Sequence, residues 1–377
     1  MALPLHYDTV AITNLAAYKR NIKKIISYIG KSVRLMAVVK ANAYGHGMVE
    51  CAQEALKAGA SMLGAAHASE GVKLREAGIT APVLVLATGL SERLTTMIEH
   101  NLTISLTSFD MLADLKKKLK SGHSCCKVHI KVDTGMGRDG VLPPKAPELV
   151  EQACNSPGVS VEGIFSHFPS ADEDKDQFTR QQIDNFKSLL ENLEKRSMRP
   201  AIAHLCNSAG TLKFPEAHLD LVRPGIMTYG LIPYPGSEEK IAFEPVLSWE
   251  SKIAFIKEVP AGFPVSYGNT FITKRPSRLA TVPVGYADGY NRQLSNKGKA
   301  IVNGNIVPVI GRVCMDLTVF DATDAGEVHA GDTITLIGSQ GNVRVAAEDL
   351  AEKAGTITHE IVTGITGRVS RTFIKTA

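Results

Sequence analysis

Long apolar stretches and paired cysteines are both missing from this sequence of 377 residues. No run approaches the roughly 18 consecutive apolar residues that a membrane-spanning helix needs, so no membrane span is expected. The N-terminal sequence MALPLHYDTV has no basic segment followed by an apolar one, so no secretory signal is expected either. Of the six cysteines only Cys125 and Cys126 are close together, and no pair of CxxC motifs indicates zinc. These absences predict a cytoplasmic protein with reduced thiols.

A strongly basic surface is also missing. The formal net charge is +4, and the basic residues are scattered apart from a lysine-rich run at residues 116–120. Leu115 precedes that run and Leu119 interrupts it, and this spacing of four residues is typical of a helix with a solvated lysine face. We therefore expect neither nucleic acid nor a membrane as a partner.

The first 240 residues repeat one unit, which is a short β-branched apolar run, a turn and an amphipathic helix. The predicted strands are 35–39, 62–66, 82–87, 102–106, 128–132, 161–165, 201–205 and 219–222. Eight such units predict an α/β fold, a (β/α)8 barrel of the TIM type. A doubly wound sheet is the alternative, but no glycine-rich dinucleotide loop follows the first strand. Residues 1–240 are therefore assigned to a barrel domain.

Valine-rich runs separated by glycines replace the helical pattern in the rest of the chain. Asn303-Gly304 between two apolar runs is a strong signal for a two-residue hairpin. One helix is predicted within AAEDLAEKAG. Residues 241–377 are therefore predicted to form a second, mostly β domain.

Polar residues follow five of the eight predicted barrel strands, where a barrel of this type places its catalytic groups. They are Lys40 after the first strand, Lys131 and Arg138 in and after the fifth, His167 after the sixth, Asn207 and Ser208 after the seventh, and Arg223 and Gly225 after the eighth. Chance explains one or two such placements. Five of them predict an active site at one mouth of the barrel.

Lys40 ends the apolar run LMAVVK and is the sharpest of these features. Poor solvation at a strand end disfavours the charged form of a lysine and lowers its pKa from about 10.4. A neutral amine is the form that Schiff-base chemistry needs. Considered alone, Lys40 is explained better as a strand-end lysine whose amine reaches solvent. The residues that follow it reverse this interpretation.

The segment AVVKANAYGHG resembles the cofactor-lysine signature of the alanine racemase family. The resemblance continues through KVDTGMGRDG, CNSA, VRPGIMTYG, VSYGNTF, VGYADGY and GRVCMD, and covers essentially the whole chain. It implies a pyridoxal-phosphate enzyme that interconverts L- and D-alanine with two bases and supplies D-alanine for cell-wall peptidoglycan. It also implies a homodimer.

The same resemblance implies the cofactor contacts. Lys40 would carry pyridoxal 5'-phosphate, and Arg223 would face its pyridine nitrogen, with His167 beside the ring. The expected phosphate ligands are Tyr44, Ser208, Gly225 and Ile226. Asn207 is also expected among the residues that bind the cofactor. Arginine only donates and essentially never deprotonates, so it does not leave the pyridine nitrogen protonated, which suits racemisation and disfavours transamination. A simple helix N-cap for Ser208 and an interface ion pair for Arg223 remain open.

Arg138 resembles the family arginine that contacts the substrate carboxylate. Lys131 matches a position that is often carbamylated in this family. A carbamate there would replace a cation with a carboxylate and could orient Arg138 through a bidentate bond. An ordinary barrel lysine remains the alternative for Lys131.

The β domain would supply the second base, Tyr267, which reaches in from the partner subunit in this family. Arg223 and His167 are the expected neighbours that depress the pKa of Tyr267. As an isolated residue, Tyr267 is more typical of a half-buried strand tyrosine. Cys314 and Met315 resemble the partner's lining of the substrate pocket. Asp316, Tyr286 and Arg292 resemble residues of the family's access corridor, or are surface hairpin groups.

The match fails near the C-terminus. Gly367 stands where some relatives have a tyrosine that touches the phosphate, and Ser370 replaces a proline. The pocket is therefore expected to be roomier, and the preference for alanine or serine stays open. Two further alternatives are a decarboxylase of the same architecture, which Arg223 argues against, and a non-catalytic pyridoxal-phosphate binding protein, which the β domain argues against.

Overall fold

The computed structural model describes residues 8–87, 89, 91–119 and 125–375, so residues 1–7 and Lys120 of the lysine-rich run lie outside it. The chain divides into two compact units. The barrel unit comprises residues 18–43 and 48–244, and the β unit comprises residues 8–17, 44–47 and 245–375. A boundary at residue 240 places residues 8–17 and 44–47 with the barrel, but the structure groups them with the β unit.

Strand β1, Thr9–Asn14, precedes the barrel in the chain and belongs to the β unit. The barrel strands are β2 (Arg34–Val38), β3 (Met62–Ala65), β4 (Val83–Val85), β5 (Thr103–Leu106), β6 (Cys126–Lys131), β7 (Val159–Phe165), β8 (Ile202–His204) and β9 (Leu221–Val222). They are parallel and close on each other in chain order, with β9 paired to β2. The predicted TIM-type barrel is therefore confirmed.

Apolar side chains fill the interior of the barrel. The buried cluster consists of Met36, Met62, Leu84, Phe165 and Leu221, which come from five different strands. Burying each such side chain contributes about 1.5–3 kcal/mol. A filled interior leaves no pore, so polar groups that serve a site must lie at the ends of the strands.

Helices connect the barrel strands on the outside, as the amphipathic segments predict. Those up to residue 244 are Leu15–Ile29, Met48–Ala58, Ala68–Glu76, Arg93–Glu99, Phe109–Leu119, Ala146–Cys154, Gln177–Lys195 and Ser208–Lys213. The longest, Gln177–Lys195, buries Ile183, Phe186 and Leu190 on one face. No described helix is long and apolar enough to cross a membrane.

The β unit is mostly strand, as predicted. Its further strands are β10 (Leu247–Lys252), β11 (Phe255–Val259), β12 (Pro264–Val265), β13 (Phe271–Ile272), β14 (Ser277–Val282), β15 (Lys299–Val302), β16 (Asn305–Pro308), β17 (Thr318–Asp321), β18 (Thr333–Gln340), β19 (Val343–Val345) and β20 (Ser370–Ile374). The largest sheet has the order β16-β15-β18-β10-β1-β20. Two short helices, Ala347–Ala354 and Thr358–Thr363, follow β19.

The hairpin predicted at Asn303-Gly304 is confirmed. Strands β15 and β16 are antiparallel and Val302 faces Asn305 across the turn. Asn303 has φ 49° and Gly304 has φ 72°, which is the left-handed pair that a type I′ turn requires.

Candidate active site

A left-handed turn follows Lys40 directly. Residues 41–44 all have φ between 52° and 54°, although none of them is glycine. The left-handed conformation costs roughly 1–2 kcal/mol for each L-residue, so this turn needs support from its surroundings. The Glu70 carboxylate supplies it, because its Oε1 accepts the Ala41 N–H at 2.7 Å while its Oε2 accepts the Ala66 N–H at 2.6 Å. Glu70 therefore ties the turn after Lys40 to the end of strand β3.

The amine of Lys40 has an unusual electrostatic setting. Burial lowers the pKa of Lys40, and the positive charges of Arg138 and Arg223 lower it further, while Glu70 acts in the opposite direction. A larger fraction of the Lys40 amine is therefore neutral than in a fully solvated lysine. This is the state that a nucleophilic lysine requires.

Arg223 is buried at the end of β9 and is held from several sides. Its guanidinium donates to Nδ1 of His204 at 2.8 Å and Nδ1 of His167 at 3.2 Å, and to the carbonyls of Ser166 and Leu205 at 2.7 and 3.0 Å. Burial lowers the pKa of Arg223 to about 10. Within the described residues it forms no ion pair with a carboxylate, so the interface ion pair considered for it is not found. Arg223 is a fixed, donor-only group.

A third histidine, His129, extends this network beyond His204. Because arginine can only donate, Nδ1 of His204 must accept, and its Nε2 then carries the proton. That Nε2 lies 2.7 Å from Nδ1 of His129, which accepts in turn. Gly163 on β7 makes room for the His129 ring, since a Cβ at residue 163 would lie 2.5 Å from Nδ1. Burial and then the charge of Arg223 lower the pKa of His129 to about 3.

These buried histidines predict that the protein loses stability in mild acid. An unfolded histidine titrates near pH 6.5, whereas His129 titrates at about 3 in the folded state. Between those values the unfolded state binds a proton that the folded state does not, so the free energy of unfolding falls as the pH falls. For His129 alone the loss is on the order of 1 kcal/mol at pH ~5.5. Burial depresses the pKa values of His167 and His204 as well, so they add to the loss.

Urea unfolding followed by circular dichroism at about pH 7.5 and about pH 5.5 measures this loss. In the His129→Gln variant the loss should shrink by about 1 kcal/mol, because glutamine does not titrate. The exposed His329 provides a matched control, and His329→Gln should leave the loss unchanged. A His129→Gln variant with the same pH dependence as the wild type would show that His129 is not buried in its neutral form.

The residues after β8 form a polar pocket with those after β9. Asn207 is the N-cap of the helix Ser208–Lys213, and its Oδ1 accepts the Gly210 N–H at 2.9 Å. The cap is thus Asn207 and not Ser208, which is the first helical residue. Instead, Oγ of Ser208 accepts the N–H groups of Gly225 at 3.0 Å and Met227 at 3.4 Å. Both acceptor sites of this hydroxyl are used, so its proton is left for donation.

Lys131 ends β6 with its side chain buried, and it forms an ion pair with Asp139. The same Oδ1 of Asp139 lies 3.5 Å from Nε of Arg138. Asp139 was not singled out from the sequence, although its position directly after Arg138 in GRDG could have drawn attention to it. His129, His204 and Glu70 were also missed.

Four basic side chains meet at this end of the barrel. Burial lowers the pKa of His167, and it is lowered further by Arg223, Arg138, Lys40 and Lys131, in that order. The structure therefore brings these five sequence-predicted residues together. Clustered cations with few compensating carboxylates favour anionic ligands, such as a phosphate or the carboxylate of an amino acid.

The other predicted residues lie in the β unit. Tyr44 is buried there, with its ring 5.8 Å from that of His359, and burial raises the pKa of Tyr44. Tyr267 lies in the short 3-10 turn Tyr267–Asn269 and is 71% exposed, so it is not a half-buried strand tyrosine. Met315 is 53% exposed.

The turn that carries Tyr267 packs on residues 312–314, just before Met315. Oγ of Ser266 donates to the carbonyl of Arg312 at 2.7 Å and lies 3.4 Å from Sγ of Cys314. The carbonyl of Cys314 accepts the N–H of Tyr286 at 3.0 Å. Tyr267, Tyr286, Met315 and Leu317 are all among the exposed large hydrophobic residues of the described chain. Asp316 forms an ion pair with Arg368 at 2.8 Å, and Arg292 begins a 3-10 turn.

A closed parallel barrel with a desolvated lysine among basic side chains at one mouth, followed by a β domain, is typical of a two-domain barrel enzyme. Residues 13–233 match the family model for the alanine racemase N-terminal domain, and residues 246–373 match that for the C-terminal domain. The chain therefore belongs to the alanine racemase family, and it is a racemase.

Relatives of this chain match it over nearly its full length. It is 42% identical to the alanine racemase of Halothermothrix orenii over 97% of this chain and 96% of that protein. The crystal structure of alanine racemase from a D-cycloserine-producing Streptomyces lavendulae superposes with a TM-score of 0.94, at 36% identity over 98% of both chains. The alanine racemase of Bartonella henselae, solved with covalently bound pyridoxal phosphate, has a TM-score of 0.87 at 28% identity over 98% of this chain and 100% of that one.

Proposed function

We propose that this protein interconverts L- and D-alanine with pyridoxal phosphate in the cytoplasm, as a homodimer, and so supplies D-alanine for cell-wall peptidoglycan. The observation that carries the proposal is the amine of Lys40, which is desolvated just after strand β2 and feels the positive charges of Arg138 and Arg223. A neutral lysine amine suits attachment of an aldehyde cofactor, and the surrounding cations suit its phosphate and the substrate carboxylate.

The residues of the barrel unit fit this cofactor. Ser208 has a proton to donate to a phosphate oxygen, and Gly225 acts by holding that hydroxyl. The backbone of Ile226, together with Tyr44, would complete the phosphate ligands. In the described part of the chain Nε of Arg223 donates to no acceptor, which leaves it for the pyridine nitrogen. Pyridoxal phosphate, when bound, withdraws electrons from Cα of the amino acid and makes the Cα proton acidic.

The protein's own groups then bind the substrate and move its proton. Arg138 binds the carboxylate, and the side chain of Met315 of the partner subunit lines the pocket. Nζ of Lys40 removes the Cα proton of the D-enantiomer, and the hydroxyl of Tyr267 of the partner subunit removes that of the L-enantiomer. The exposure of Tyr267 beside Met315 and other exposed apolar side chains supports an interface there, because contiguous exposed apolar surface is typical of one.

Racemisation assays with both enantiomers of alanine and of serine test the proposal. We expect alanine to be racemised in both directions and serine to be a slower second substrate, because Gly367 stands where some relatives have a pocket tyrosine. Among the described residues, apart from the chain neighbours of Gly367, no atom lies within 4 Å of the position that a Cβ there would occupy. Gly367→Tyr should lower the activity on serine more than that on alanine. Release of CO2 would instead indicate a decarboxylase. Cofactor absorbance without any exchange of the Cα proton would indicate a non-catalytic binding protein.

A further inference from the structure

The loop between Lys131 and Val141 folds back onto the strand that it leaves. The N–H of Asp133 donates to the carbonyl of Val141 at 2.8 Å, and the N–H of Val141 donates to the carbonyl of Lys131 at 3.0 Å. The Asp133 carboxylate closes the turn, since it accepts the N–H groups of residues 135–137 at 2.8–3.2 Å. This closure returns residue 139 to the end of β6.

Gly140 is required for this return. Its φ is +115°, which L side chains rarely adopt, and a Cβ there would lie 3.0 Å from both the Asp133 N and the Lys131 carbonyl oxygen. The backbone therefore passes too closely over β6 for any other residue. Asp139, the residue before Gly140, is fixed next to Lys131 as a result.

The carboxylate of Asp139 lies between two cations. It forms an ion pair with the buried amine of Lys131, and its Oδ1 is 3.5 Å from Nε of Arg138. The other groups that face the Lys131 amine are the Phe165 ring, with its centroid 5.6 Å away, and the positive charge of Arg223. The chain thus places a carboxylate of its own between Lys131 and Arg138.

We propose that Asp139 is the positioning residue that orients Arg138 toward the substrate carboxylate, and that Lys131 stays an unmodified ammonium held by Asp139. Carbamylation of Lys131 would join the neutral amine to CO2 with loss of one proton. The product carbamate would bring a second negative charge against Asp139 in a buried place. The hydrogen bond and charge of Asp139 also favour the protonated amine, and a protonated amine does not react with CO2.

The role of Asp139 predicts how its removal acts. Burial lowers the pKa of Lys131, and the hydrogen bond and charge of Asp139 offset part of that decrease. In the Asp139→Asn variant the neutral amine is therefore more populated, and no fixed carboxylate repels a carbamate. We expect the wild type to stay unmodified under bicarbonate and the Asp139→Asn variant to become carbamylated at Lys131.

Carbon-13 NMR of the holoenzyme in ¹³C-bicarbonate measures this directly, without any assay of activity. The wild type should give no lysine carbamate signal, Asp139→Asn should gain one, and Asp139→Asn with Lys131→Met should lose it again. A carbamate signal in the wild type that disappears with Lys131→Met would overturn the proposal. So would an Asp139→Asn variant that stays unmodified and binds substrate normally.

A kinetic measurement tests the link to Arg138, and it alone rests on the proposed function. Without bicarbonate, Asp139→Asn should raise the KM for alanine about tenfold with a smaller effect on kcat, as expected for a lost substrate-binding contact. Bicarbonate should lower the KM of this variant part of the way back to the wild-type value, and it should leave the KM of the wild type unchanged. If the chain racemised no amino acid at all, the proposed function would fail while the NMR result would still stand. An unchanged KM in an active Asp139→Asn variant would remove the positioning role.

Discussion

We expect the Lys40→Ala variant to lose racemisation of both enantiomers completely. Removing one positioned acid–base group costs on the order of 10²–10⁴-fold. Here the loss should exceed that range, because the variant lacks both the covalent anchor of the cofactor and the base for the D-enantiomer. Borohydride reduction of the cofactor-loaded wild type, followed by peptide mass mapping, should find the cofactor mass on the peptide that contains Lys40 and on no peptide of the variant.

Lys57 provides the matched control. It lies on the exposed face of the helix Met48–Ala58 and pairs with Glu54, so Lys57→Ala should keep both the activity and the cofactor adduct. Circular dichroism of Lys40→Ala should match that of the wild type, since the turn after residue 40 is held by Glu70 and not by the lysine side chain. A reduced adduct on another lysine would disprove the assignment of Lys40.

The sequence predicts the barrel well because each barrel strand carries its own signal. The runs around Met36 and Ile130 are apolar and β-branched, and a filled barrel buries them on both sides. The placement of β1 has no such signal. Its neighbours in the sheet are β10 and β20, which are far along the chain, so nothing local indicates that residues 8–17 leave the barrel.

The handedness of the turn after Lys40 is likewise invisible in the sequence. Lys40 is followed by alanine, asparagine, alanine and tyrosine, and two alanines among them favour an ordinary right-handed helix. Glu70, from the helix Ala68–Glu76, supports the left-handed turn by accepting the Ala41 N–H. A contact of this kind depends on tertiary structure, which local propensity does not encode.

One part of the candidate site could be predicted from the sequence, and another part could not. That Lys40, His167 and Arg223 meet could be predicted, because parallel strands deliver their carboxyl ends to one mouth. The pairing of His129 with His204 could not, because it depends on a missing side chain at Gly163 on the strand between them. The chemical roles of all these residues remain predictions that the variants test.

Replacing Tyr267 by phenylalanine should lower racemisation on the order of 10²–10⁴-fold in both directions, because each direction needs an acid–base group on both faces of Cα. The side chain is 71% exposed, so loss of its hydroxyl should leave folding unchanged. Tyr28→Phe, a partly exposed tyrosine on the helix Leu15–Ile29, is the control and should keep full activity. Mixing Tyr267→Phe with Lys40→Ala should restore part of the activity, since one site of each hybrid dimer then has both residues.

Proton exchange separates the two faces of the reaction. In Tyr267→Phe the Cα proton of D-alanine should still exchange with solvent deuterium, because Lys40 alone serves that face, whereas exchange from L-alanine should fall with racemisation. NMR of the Cα proton, started from each enantiomer separately, measures both rates in the same variant. Equal loss of exchange from the two enantiomers, with the cofactor still attached to Lys40, would show that Tyr267 does not act on one face only. Hybrid dimers that form and yet stay inactive would show that the two bases come from the same chain.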